Sequence, residues 1–228
     1  FVAMSKTVFD DLSKFDADKK KILGVHPLYD NFGKAKSKEE AIENLGFDKN
    51  YKYMLFFGII RKFKGLDILL EAFADNRLKN QNLKLIVAGE FYEDAKPYHD
   101  LISKYKLKDA IILATKFIPD NEVVDYFCAA DIIVQPYKQA TQSGITQIAY
   151  HFEKPMLVTN VGGLNEIVPH NKVGYVCDPN ANDVANHLVD FFSKNKEALF
   201  IEGVKEEKSK YSWDKMIENI KSLHRQIS

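Results

Sequence analysis

Three cations fall within four residues at Arg61-Lys62-Phe63-Lys64, between the glycine that ends an apolar run (Gly58) and an amphipathic stretch starting at Leu66. Arg offers a fork of donors and Lys a point charge. Arg61 and Lys64 are therefore the pair suited to a diphosphate, helped by the free amides of the helix start that follows. A solvated basic turn would have the same composition. A second anion site is expected at Ser143-Gly144-Ile145, where Thr141 or Ser143 caps a helix and leaves amides exposed. The third group is Gly162-Gly163-Leu164-Asn165-Glu166. Adjacent glycines after an apolar run let main chain approach a ligand, and the acid three residues on can accept from hydroxyls. The three groups together suit a nucleotide sugar. The plainer alternatives are a capped helix start and a strand-to-helix turn that uses glycine for geometry alone.

Two further loops carry weaker signals. Gly89 clears space before Glu90, which reads as a solvated loop acid. In Thr115-Lys116-Phe117-Ile118-Pro119, main-chain groups could read a base edge while Phe117 or Ile118 packs on its face; a plain loop explains it equally. The loop after Gly58 lacks the glycine spacing and the Ser/Thr of a Walker A motif. His26 beside Pro27 reads as structural and His170 as a surface residue. His151 and His170 have no acid or second histidine at ligand spacing, so no metal site is expected. Cys128 and Cys177 have neither metal nor redox spacing and sit in apolar runs, which suits buried free thiols in a reducing compartment.

These loops need a frame, and the apolar runs supply one. Strands are expected at 53–57, 83–88, 110–114, 132–134, 156–159 and 173–176. Helices are expected at 66–73, 98–105, 121–130, 145–152, 183–192, 194–208 and 213–227. Strands apolar on both faces and separated by helices imply parallel βαβ units with helices on both sides of the sheet, and ligands then bind beyond the carboxyl ends of the strands. Upstream, 5–15 reads as a short helix, 19–32 as an irregular connector, and Ser37-Lys38-Glu39-Glu40 as a capping box opening a helix that stops at Gly46. Phe1-Val2-Ala3-Met4 reads as the middle of a strand.

The 228 residues, 46% of them apolar, can build one large domain or two small ones. Lys plus Arg equals Asp plus Glu at 32 each, which argues against a general nucleic-acid binder. No apolar run approaches the roughly 18 residues that span a bilayer, and no signal peptide is visible.

In order and spacing the loops resemble the donor-binding domain of GT-B glycosyltransferases, specifically the large retaining glycosyltransferase family 4. Three pieces carry the resemblance: Phe57-Gly58…Lys64-Gly65-Leu66-Asp67 running on to Phe73, Ala129-Ala130-Asp131-Ile132-Ile133-Val134-Gln135-Pro136, and Pro155-Met156-Leu157-Val158-Thr159-Asn160-Val161-Gly162-Gly163-Leu164-Asn165-Glu166-Ile167-Val168. It implies a Rossmann-like α/β fold. Residues 1–36 would be the end of an N-terminal acceptor domain plus linker, most of that domain being absent. Residues 37–211 would bind a UDP- or GDP-linked sugar, and 212–228 would be a cross-over helix left with exposed apolar surface or covered by 5–15. Lys64 matches the family's phosphate lysine and Glu166 its acid after the glycine pair. The arginine usual after the glycine is replaced by Ile59, leaving Arg61 as the substitute. Arg61, Lys64 and Glu166 are the expected catalytic residues. The donor-binding set adds Gly58, Gly89, Phe117, Ile118, Gln139, Thr141, Ser143, Gly144, Ile145, Gln147, Gly162 and Gly163. The family's E-x7-E pattern is lost. An ungapped match puts Ala140 and Ile148 at its glutamates, and a one-residue shift gives Gln139 and Gln147, which could bind ribose hydroxyls as neutral groups. The resemblance implies sugar transfer without metal or other cofactor to an acceptor sugar or lipid-linked glycan. Two cysteines and no visible signal suggest the cytoplasm, peripheral at the inner membrane face where the acceptor is a lipid. A nucleotide-sugar epimerase, a non-catalytic nucleotide-binding module and a purely structural domain stay open as alternatives. The isolated chain is expected to be inactive.

Overall fold

The computed structural model describes residues 1–79 and 81–227. Strand β1 (Val2–Ala3), helix α1 (Lys6–Phe15) and strand β2 (Ile22–Leu23) form a small parallel βαβ unit, with Val2 opposite Ile22 and Ala3 opposite Leu23. The expected irregular connector therefore contains a strand, too short for any periodicity to register. The Ser5 hydroxyl caps α1 by accepting from Val8 N at 3.3 Å.

The chain continues through α2 (Lys38–Asn44), β3 (Lys52–Phe57), α3 (Leu66–Phe73), α4 (Asn76–Lys79), β4 (Leu83–Ala88), α5 (Lys96–Lys104), β5 (Ile111–Ala114), α6 (Asp120–Ala129), β6 (Ile132–Gln135), α7 (Gly144–His151), β7 (Met156–Thr159), α8 (Leu164–Ile167), β8 (Gly174–Cys177), α9 (Ala181–Ser193), α10 (Glu197–Lys208) and α11 (Trp213–Ile227). Strands β3 to β8 form one parallel sheet in the order β5-β4-β3-β6-β7-β8. Side chains alternate along β3. Tyr53 and Leu55 join the core under α2, α6 and α7, while Met54 and Phe56 join the core under α3, α5 and α9. Both faces are thus covered, which is why the strands read as unbroken apolar runs.

The strand order fixes where a ligand fits. From β3 the chain builds outward through β4 to β5, then returns to lay β6 on the other side of β3. The loops after β3 and β6 lead away from each other and leave a crevice at the carboxyl ends, a topological switch point. Helix α11 packs on β2. Trp213, Ile217 and Ile220 form a half-exposed stripe along it.

Candidate functional site

The crevice is a cleft of about 430 Å3. Gly58, Ile59, Arg61, Phe63 and Lys64 line it from the loop after β3, Gln142 to Ile145 and Ile148 from around the start of α7, and Tyr29 and Phe32 from the segment before α2. A smaller hollow of about 140 Å3 shares Gly58 and Ile59 with it and extends to Gly89, Glu90, Lys116, Phe117 and Ile118. Ile118 is buried beneath this hollow, whereas Phe117 is 67% exposed.

One close approach sets the cleft's geometry. Gly65 has φ 71°, and a Cβ there would lie 1.9 Å from Pro136 O. Only glycine lets the end of the β3 loop press on the start of the β6 loop at that point. Lys138 N then donates to Phe63 O at 2.7 Å. The contact brings Lys64 beside Tyr137. Lys64 Nζ donates to the Tyr137 hydroxyl at 2.8 Å and lies 3.9 Å from the centre of that ring. Burial first, and the Arg61 charge second, bring the Lys64 pKa down to about 8. No carboxylate pairs with Lys64 among the described residues. Arg61 is exposed, with its guanidinium carbon 5.2 Å from the centre of the Tyr92 ring.

The start of α7 completes the cleft, with one change from expectation. Ser143 Oγ accepts from Ile145 N at 3.2 Å, so the cap uses one of the three amides expected to be free. The amides of Ser143 and Gly144 have no partner among the described residues. Tyr29 packs over Gly144 so closely that a Cβ there would lie 2.6 Å from its ring.

The glycine pair packs against the protein's own main chain. At Gly162, φ is 54° and a Cβ would fall 1.5 Å from Ala140 O; at Gly163 it would fall 2.7 Å from Thr141 O and 3.0 Å from Ser5 Cβ. The backbone that approaches these glycines is the protein's own. Glu166 is exposed, and its Oε2 accepts from Lys6 N at 2.9 Å. The Gln142 side-chain amide donates to Met4 O. The turn is therefore tied to the start of α1, and neither glycine nor Glu166 lines the cleft. Gly89 likewise makes room for Gly58, whose carbonyl would sit 2.1 Å from an added Cβ.

The expected Gln139/Gln147 pair also separates. Gln139 is exposed, while Gln147 is fully buried with no partner for its side-chain amide among the described residues, so the two cannot face one ribose. Thr141 is exposed and leaves the capping to Ser143. Sequence reasoning missed Tyr29, Phe32, Gln135 and Tyr137. The position of Tyr137 just beyond the end of β6 was the available signal.

His151 Nε2 meets Gly33 O at 2.7 Å, and His170 Nδ1 accepts from Val176 N at 3.0 Å. Both cysteines are free and buried. Folding brings Cys177 together with Asp183 and His187, with one potential ligand atom from each within 4.8 Å of the others, a grouping that linear spacing conceals. All three are already engaged. Burial, then Asp183 and Asp178, push the Cys177 thiol up to about 12; Asp183 Oδ2 accepts from Asp178 N at 2.7 Å; His187 Nδ1 lies 2.9 Å from Asp183 O. Among the described residues no helix is long and apolar enough to cross a membrane.

Comparison with known proteins places this architecture. Residues 37–207 match the family described as glycosyl transferases group 1. An uncharacterized glycosyltransferase of Methanocaldococcus jannaschii is 27% identical over 192 residues, which are 83% of this chain and 52% of that protein. Sucrose-phosphate synthase from Thermosynechococcus elongatus superposes with a TM-score of 0.84 at 18% identity over 99% of this chain and 57% of its own. HepE from Anabaena, solved in complex with UDP, gives 0.78 at 17% identity over 99% and 61%. The chain spans about half the length of the curated relatives it matches. Its six-stranded parallel sheet with helices on both faces is the Rossmann-like arrangement of GT-B glycosyltransferases. With the match running from the start of α2 nearly to the end of α10, the chain belongs to the glycosyl transferases group 1 family.

Proposed function

We propose that this chain holds the donor of a retaining glycosyltransferase. The donor is a UDP- or GDP-linked hexose, and the acceptor is a sugar or lipid-linked glycan bound by the part of the enzyme its relatives have and these residues do not span. Residues 37–211 form the donor-binding unit, 1–36 belong to the acceptor side and linker, and 212–228 cross back toward it. A lipid acceptor would bring a peripheral membrane contact. One observation carries the reading. Among the described residues Lys64 is a cation without a carboxylate partner, held beside Arg61 and the unpaired amides of Ser143 and Gly144 in a cleft at the switch point. HepE, of the same fold, is solved with UDP and with UDP-glucose, which supports a nucleotide sugar here.

In this reading negative charge develops on the departing diphosphate, and Lys64, Arg61 and the α7 amides stabilise it from fixed positions, so the transfer runs without a metal. The base occupies the hollow above Ile118, beside the main chain of 116–118. Retention at the anomeric carbon is taken from the family resemblance. An epimerase would need acids or histidines facing the sugar, and no residue of either kind lines the larger cleft among the described residues. The second reading, nucleotide binding without catalysis, is favoured by the engagement of Glu166 with Lys6 N.

Calorimetric titration with UDP, GDP, ADP and their glucose conjugates tests the proposal. Binding of one diphosphate and its sugar conjugate is expected. Failure of all of them to bind sinks it. Binding without turnover once the acceptor-side domain is supplied selects the second reading.

A further inference from the structure

The residue that holds Lys64 belongs to none of the groups expected from the sequence. Tyr137 is 1% exposed, and its hydroxyl lies between Lys64 Nζ at 2.8 Å and Ser143 Oγ at 3.2 Å. Ser143 Oγ is in turn 2.6 Å from Gln135 Oε1. The hydrogens can be assigned by elimination. An ammonium only donates, so Tyr137 accepts from Lys64 and gives its one hydrogen to Ser143. A carbonyl oxygen only accepts, so Ser143 gives its hydrogen to Gln135 and accepts from Ile145 N. The donors run one way, from the loop after β3 through the second residue of the loop after β6 to the cap of α7. Burial holds the phenol well above its ordinary pKa, so it stays neutral.

We propose that Tyr137 is a positioning residue. It holds the Lys64 ammonium without cancelling its charge and ties it through Ser143 to the α7 N-terminus, so that both halves of the anion site keep one spacing for a diphosphate. This rests on the donor-site reading above. A carboxylate in the same place would fix the lysine equally well but would take the charge the ligand needs. The neighbours of Lys64 are consistent with that economy. Arg61 opposes its protonation; Asp67, in the first turn of α3, accepts from Lys138 at 2.5 Å through Oδ2, its Oδ1 having no partner among the described residues; Glu93 accepts from Lys62 N at 2.8 Å. An arriving diphosphate is then the first anion Lys64 meets, and binding draws a proton onto the lysine wherever part of the population is neutral.

Two measurements test the proposal, one of them without ligand. In the first, the Lys64 side chain is titrated by NMR in the unliganded wild-type chain and in Tyr137→Phe. The midpoint is expected near 8 in the wild type and lower in the variant, because the ammonium loses an acceptor while burial stays. An unmoved midpoint overturns the proposal. In the second, UDP is titrated calorimetrically in two buffers of different ionisation enthalpy. Wild-type affinity should fall about tenfold between about pH 7 and pH 9, with proton uptake at the upper end, while the terminal phosphate stays dianionic. Tyr137→Phe should bind UDP roughly 5- to 10-fold more weakly at about pH 7, and Lys64→Ala should lose the pH dependence. Wild-type affinity and pH profile in a folded Tyr137→Phe overturn it. Should that variant not fold, Ser143→Ala breaks the next link and is expected to move both readouts the same way by less. If no nucleotide diphosphate binds the wild type, the donor reading fails while the NMR titration still decides the role of Tyr137.

Discussion

Two loop systems at the carboxyl ends of the sheet carry the same ingredients and use them in opposite ways. The loops after β3 and β6 hold Arg61, Lys64 and Gly144 against a cleft. Their lysine is half-buried, has no carboxylate partner among the described residues and is lowered to about 8. The loop after β7 holds Gly162, Gly163 and Glu166. There the space beside each glycine is filled by a carbonyl of the β6 loop, and the carboxylate is bonded to Lys6 N. A glycine at a strand end reports that something approaches closely, without saying whether that is ligand or protein. A charged residue is available for chemistry only to the extent that the fold has not already partnered it.

The sharpest way to break this comparison is Gly162→Val. A side chain would have to enter at φ 54° with its Cβ 1.5 Å from Ala140 O. Left-handed backbone strain plus the displaced loop should cost ~3–4 kcal/mol of folding stability. Urea denaturation measures it. A variant that keeps wild-type stability yet loses nucleotide binding would return the glycine pair to a ligand role.

Next in size is Lys64→Ala. Removing a charged donor from a partly desolvated phosphate site should cost about 2–3 kcal/mol of UDP affinity, roughly 30- to 150-fold. Stability should hold or rise, since Lys64 is disfavoured as a cation in the folded state. The sign follows from its depressed pKa: between about 8 and the unfolded value the unfolded chain binds more protons, so the lysine's penalty is present at neutral pH and fades as pH rises through that window. Arg61→Ala should weaken UDP by only ~1 kcal/mol, about fivefold, because Arg61 is exposed and its interactions are screened by water and salt. Salt titration of the two variants separates the buried contribution from the exposed one. Equal salt sensitivity would remove the distinction drawn between them.

Much of this frame is legible in the sequence. The apolar runs at 53–57, 83–88 and 156–159 mark strands, because a parallel sheet covered on both faces leaves little room for polar residues. The cation pair and the Ser143 cap are local signals and are found locally. Gln147 fails as a ligand candidate because its spacing to Gln139 ignores helical phase. On α7 it points into the core, while Gln139 precedes the helix altogether. Tyr137 and Tyr29 stay hidden because their roles exist only once the β3 loop, the β6 loop and the segment before α2 meet. The Cys177, Asp183 and His187 grouping is hidden for the same reason, being assembled from the end of β8 and the first turns of α9.

The smallest expected effect is also the most discriminating between the two loop systems. Glu166→Gln keeps an acceptor for Lys6 N and removes the negative charge from the start of α1. A charge at an exposed helix N-terminus is worth ~0.3–1 kcal/mol, so exchange of the Lys6 amide should speed up by roughly two- to fivefold. UDP affinity should not move, since the side chain lies outside the cleft. Were the Lys6 amide unchanged and UDP binding weakened tenfold, Glu166 would face the nucleotide, and the β7 loop would join the β3 and β6 loops as a single site. A donor carrying its sugar adds one more contrast. If affinity for the sugar conjugate falls in Glu166→Gln while that for UDP stays, the carboxylate leaves Lys6 for the sugar, and α1 is held by Glu166 only when no donor is bound.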